Sequence, residues 1–158
     1  MSKKQNLYTG RSGQMAVMAE FLRRGYNVAI PEIDIGEDIF VVRDADGDLS
    51  RIQVKSAIGK GKKRVAGQFN VPMAQLRRPY EPELHYVFAL YREGEGWREF
   101  IIIRRDELAN LRRLQQIGNV SQNKLILYLS FSAEDVVCSE ISLKRYRANW
   151  SPWPVIVH

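Results

Sequence analysis

The chain has 158 residues, 45% of them hydrophobic, and a formal net charge of +6, enough for one globular domain with its own core and too little for two. A single cysteine, Cys138, excludes an internal disulfide and a cysteine zinc site, and no run approaches the roughly 20 apolar residues of a membrane span. The opening "MSKKQNLYTGRSGQ" is polar and basic, unlike a secretory signal, so a soluble protein of a reducing, cytoplasmic compartment is expected.

In chain order, Met15, Met18, Ala19 and Leu22 stand at i, i+3, i+4 and i+7, which predicts an amphipathic helix capped by Ser12 and stopped by Gly25. Tyr26 to Ile30 leads into an extended segment through Pro31, and "DIFVVRDADGDLSRIQVKSA" predicts a hairpin turned by "DADGD". "IGKGKKRVAG" has the glycine and lysine content of an exposed, flexible loop. "QFNV" predicts a short strand before a helix that begins at Pro72. Strands at "LHYVFALY" and "EFIIIRR" precede a helix through "DELANLRRLQQI" that Gly118 would stop. A strand at "KLILYLSFS" follows. Ser132 and Asp135 then have the spacing of a capping box for a short final helix, and the tail "NWSPWPVIVH" carries two tryptophans. Helices alternating with strands predict an α/β domain with a mixed sheet spanning residues 1–158.

Charge is concentrated. Residues 49–80 contain Arg51, Lys55, Lys60, Lys62, Lys63, Arg64, Arg77 and Arg78 and no acid. Such a stripe suits a polyanion, because each phosphate neutralised releases counterions, and it equally suits an ordinary solvated surface.

Within the hairpin, Gln53 and Lys55 are two residues apart and project from one face of their strand. Asp38, at the entrance of the partner strand, reaches that face if the hairpin is tight. A carboxylate and an amide oxygen form a hard site for a divalent cation that keeps its waters, and an ammonium beside it suits phosphodiester hydrolysis. A plain surface ion pair between Lys55 and Asp38 is the competing reading. Glu20, beside the helix's apolar stripe, is a further candidate ligand, and Asp34 and Glu37 are rivals to Asp38. The two histidines, His85 and His158, are far apart and give no metal-ligand neighbourhood.

Glu20, Asp38, Gln53 and Lys55, read as "AEF", "GED" and "QVK", resemble the PD-(D/E)XK nuclease superfamily, in particular its restriction-endonuclease-like and Holliday-junction-resolvase-like members, over about residues 10–78. The resemblance implies a restriction-endonuclease-like core and Mg²⁺-dependent endonuclease chemistry on DNA, with Mn²⁺ as a possible substitute. It implies that Asp38 is the principal metal ligand, Gln53 the second, Val54 a backbone-carbonyl ligand, Glu20 the helix-borne acid and Lys55 the catalytic lysine. Lys60, Lys62, Lys63, Arg64, Arg77 and Arg78 would then hold the backbone of double-stranded or branched DNA. Gln53 departs from the acid usual at this position, and one charge fewer weakens metal binding. A second reading is therefore a nuclease-fold module that binds nucleic acid or mediates assembly without efficient catalysis. Cutting both strands needs two sites, so a homodimer or larger assembly is expected, with the tail around Trp150 and Trp153 either forming that interface or packing back on the domain.

Overall fold

The computed structural model describes residues 2–158. The predicted hairpin is present as β2 (Ile39–Arg43) and β3 (Asp48–Ile58), paired antiparallel with Ile39 opposite Ile52. β1 (Asn27–Ala29) lies outside β2. On the other side β3 runs parallel to β5 (Leu84–Arg92), which pairs antiparallel with β6 (Gly96–Arg104). This mixed sheet has the order β1-β2-β3-β5-β6. The parallel step from β3 to β5 requires a crossover, and that crossover builds a second layer: β4 (Val65–Pro72) and α2 (Met73–Arg77).

β4 belongs to an antiparallel second sheet that the sequence pattern left unseparated from the first. Its order is β10-β9-β8-β4, with β8 at Lys124–Phe131, β9 at Val136–Cys138 and β10 at Ile141–Ser142. β7 (Asn119–Ser121) pairs with the far end of β8. Residues Val65, Gly67, Phe69 and Val71 face inward and alternate with more exposed neighbours, among them Gln68 and Asn70, as a one-sided sheet demands. α3 (Arg105–Gln115) follows β6 and ends with Gln116 in the left-handed conformation, two residues before the predicted stop at Gly118. The capping-box expectation at Ser132 is not met. Ser132 Oγ does accept from the Asp135 amide at 3.2 Å, but in a turn that enters β9, because "VVC" is strand-forming. The only helical piece after it among the described residues is a single 3-10 turn, Lys144–Tyr146.

The first helix corrects two expectations. α1 spans Lys3–Arg23 and is capped by Ser2, whose hydroxyl accepts from the Gln5 amide at 3.1 Å. Ser12 lies inside it and accepts a hydrogen bond from Trp97 Nε1. The buried face is Gly13, Val17 and Phe21, not the methionine stripe; Met15 and Leu22 are more than half exposed. Rotation is set by partners remote in sequence: Phe21 meets Trp150 and Trp153 edge-on at 5.4 and 5.1 Å. The tail therefore packs back onto α1. Gly13 permits the closest approach, since a Cβ there would overlap the Ser56 side chain of β3. One core thus lies between the mixed sheet, α1 and the tail, and a larger one between the two sheets. No described helix is long and apolar enough to cross a membrane.

Candidate functional site

β2 stops at Ile39 while β3 continues to Ile58, so the Val54 amide faces a place where the partner strand has ended. A buried amide needs an acceptor. Asp38 provides it: its own amide closes the ladder on the Ile52 carbonyl at 2.8 Å, and its Oδ2 accepts from Val54 N at 2.8 Å and from Gln53 Nε2 at 2.7 Å. Two residues along the same face stands Lys55. The structure therefore brings Asp38, Gln53, Val54 and Lys55 together.

The electrostatics are those of groups held partly out of water. Burial pushes the Asp38 carboxyl above its ordinary range, against the opposing pull of the Val54 amide, the Lys55 charge and Gln53. Burial likewise draws the Lys55 ammonium below its ordinary range, opposed by Asp38 and Asp34 and assisted by Lys124. Both charged forms carry a desolvation cost that their mutual attraction only partly offsets.

Glu20 stands apart from this group. Its carboxylate is taken by Arg23 at 2.7 Å and Arg24 at 2.8 Å, and it lies six residues, roughly 9 Å of helix axis, beyond the point where α1 meets Asp38. That point is Gln14, whose Nε2 donates to the Asp38 carbonyl at 3.0 Å. Sequence reasoning missed Gln14; the available signal was a polar residue three positions before Val17 and seven before Phe21, on the face that is buried. It also missed Gln75 of α2, which donates to the Gly36 carbonyl at 2.8 Å, accepts from Tyr86 Oη at 3.1 Å and approaches Gln53 Oε1 at 3.4 Å. Of the three glutamines, Gln53 alone bonds the Asp38 carboxylate, while Gln14 holds the Asp38 backbone carbonyl and Gln75 holds Gly36 and Gln53. Glu37 is buried and paired with Arg51, while Asp34 is exposed and accepts from the Gly36 amide at 3.0 Å.

The basic residues divide into two groups. Lys60, Lys62, Lys63 and Arg64 are exposed in the connection between β3 and β4, but Lys60 exchanges two backbone hydrogen bonds with Ala66, each 2.9 Å, which makes this turn tighter than the expected flexible loop. Arg77 and Arg78, also exposed, follow the other end of β4, and Arg78 stacks over Tyr80 at 5.1 Å. Between the groups runs a groove of about 590 Å³, lined by Lys55 and Lys60, by Gln68 and Asn70 of β4 and by Tyr128 of β8.

No protein-family model matches the chain, and no characterised protein matches it by sequence. Among solved structures it is similar to a bacterial homing endonuclease, I-Ssp6803I, with a TM-score of 0.57 and 18% identity, over 96% of this chain and 90% of that one. The chain therefore has a nuclease-like mixed α/β fold.

Proposed function

We propose that the protein is a metal-dependent endonuclease that hydrolyses phosphodiester bonds in DNA. The observation that carries this reading is the convergence of Asp38, Gln53 and Lys55 where β2 leaves β3, on a fold shared with an endonuclease. The donor set is all oxygen, which fits a hard divalent cation that keeps most of its water. Asp38 would supply the charge and Val54 a carbonyl, with the Gln53 amide oxygen joining once that amide, now offering its nitrogen to Asp38, turns over. Mg²⁺ held there, with Mn²⁺ as a substitute, would supply an acidified water and charge neutralisation at the phosphate.

The remaining work belongs to the chain itself. Lys55 stabilises negative charge as it develops on the phosphoryl oxygens, and its partly desolvated position strengthens that interaction. Gln14 and Gln75 hold the Asp38 and Gly36 backbone, so the carboxylate keeps its orientation. The cations at the two ends of β4 grip the DNA backbone.

One feature favours the second reading, a binding or assembly module with little catalysis: a single carboxylate, already satisfied by two protein donors. Incubation with supercoiled plasmid and with a synthetic four-way junction, each with Mg²⁺ or with EDTA, separates the two. The enzyme reading requires Mg²⁺-dependent scission. Lys55→Ala should then lower the single-turnover rate on the order of 10²-fold or more while DNA affinity stays near wild type; an unchanged rate would remove Lys55 from the mechanism. Asp38→Ala should lose Mg²⁺ affinity in calorimetry.

A further inference from the structure

We infer that the outward face of the second sheet, centred on Gln68, Asn70 and Tyr128, reads base edges in the major groove of duplex DNA. The inference deepens the reading above and rests on it only for the identity of the polyanion.

Strand register composes this face. Gln68 lies opposite Tyr128, and Asn70 opposite Ile126, which in turn faces Asn119 of β7; Lys124 lies opposite both Pro72 and Ser121. Gln68, Asn70, Asn119, Ser121 and Lys124 are exposed, and Tyr128 is 57% exposed. An outer sheet face is ordinarily polar with mixed charge. Here β4, β7, β8 and the turn between the last two hold no aspartate or glutamate, in a chain with 18 acidic residues. A surface without carboxylates can approach phosphate without repulsion.

The amides are arranged for reading. Gln68 Nε2 donates to Asn70 Oδ1 at 3.0 Å, and among the described residues neither side chain makes another hydrogen bond. The linked pair therefore turns a free acceptor, Gln68 Oε1, and a free donor, Asn70 Nδ2, toward solvent. An acceptor beside a donor complements the N6 and N7 edge of adenine, and a two-stranded ribbon fits the major groove, about 12 Å wide.

Scale and continuity agree. β4 has eight residues, roughly 26 Å, with Lys60 to Arg64 before it and Arg77 and Arg78 after it. Cations spaced more widely than the groove can reach the phosphates on both of its sides. The same face forms a wall of the 590 Å³ groove that contains Lys55, so a duplex read here lies against the candidate catalytic lysine.

The test is selection from a random-sequence duplex pool in EDTA, where binding is read without cutting, with wild type and the double variant Gln68→Ala, Asn70→Ala. Circular dichroism checks that the variant folds, and Tyr128→Phe serves as a second, minimally perturbing variant whose preference should shift only where the phenol oxygen is used. Wild type should enrich a preferred sequence. The double variant should keep its affinity for unselected duplex and its salt slope, and lose discrimination at one or two adjacent base pairs on the order of tenfold each. No preference in wild type, or the same preference in a folded double variant, overturns the inference. Plasmid nicking with Mg²⁺ reports on the nuclease reading separately: nicking with an unaltered preference defeats only the base-reading face, and altered preference without nicking by wild type defeats only the nuclease.

Discussion

Position 53 is the most informative single residue. Gln53 Nε2 lies 2.7 Å from Asp38 Oδ2, so Gln53→Glu would set two carboxylates against each other unless a cation sits between them. The variant should melt below wild type in EDTA, recover with Mg²⁺, and bind Mg²⁺ about tenfold more tightly in calorimetry. No gain in affinity would mean that residue 53 is not a ligand. His85, opposite Ile52 on β5, offers a control outside this group. It packs edge-on against Trp153 at 4.9 Å, and burial, with Arg104 assisting, draws its imidazole below the ordinary 6.5. The unfolded chain then takes up this proton first. Stability from His85 is complete above pH 6.5 and falls as pH drops through and below that value. His85→Phe should flatten the decline of Tm between pH 7 and pH 5, read by thermal melts at several pH values. Asp38, Gln53 and Lys55 were legible in the sequence because a tight hairpin brings residues 15 to 17 positions apart together by strand pairing alone. Gln75 was not, because its approach depends on a crossover through a second sheet.

At the scale of elements, α1 shows how apolar spacing misleads. Met15, Met18, Ala19 and Leu22 have helical spacing, as do Gly13, Val17 and Phe21, and only the surroundings decide which face turns inward. Two tryptophans more than a hundred residues away select the aromatic face, which carries Gln14 to Asp38 and leaves Glu20 to its arginines. Trp153→Ala should cost about 3–5 kcal/mol in urea unfolding, and Gly13→Ala, which forces α1 off Ser56, about 1–3 kcal/mol. Both should slow scission further than unfolding accounts for, since α1 positions Asp38. For the turn between β3 and β4, replacing Lys60, Lys62 and Lys63 with alanine should weaken binding to all sequences alike and reduce the salt slope by up to about one unit per lost phosphate contact. An unchanged slope would make that turn a solvated surface only.

At the scale of the whole molecule, the mixed sheet is the frame on which the others depend: α1 and the tail cover one side, and the second sheet with its two cationic ends covers the other. Cutting both strands of a duplex calls for two such sites, and with Trp150 and Trp153 buried at 7% and 3% exposure, any symmetric partner must meet another surface. Sedimentation at micromolar concentration, with and without duplex, reads this assembly. The seal between α1 and the tail also has a meaning in time. Arg24 Nη1 donates to the Trp153 carbonyl across 129 residues of chain, and at about 5–20 residues per second a ribosome needs on the order of ten seconds to cover that interval. For that long the newborn helix shows Phe21 to water on the side that Trp150 and Trp153 later cover, and until β5 emerges the hairpin beside it lacks its parallel neighbour. A half-made chain therefore holds all of Asp38, Gln53 and Lys55 yet not the complete frame that orients them, and on the proposed endonuclease reading it should not nick DNA until synthesis has passed the tryptophans.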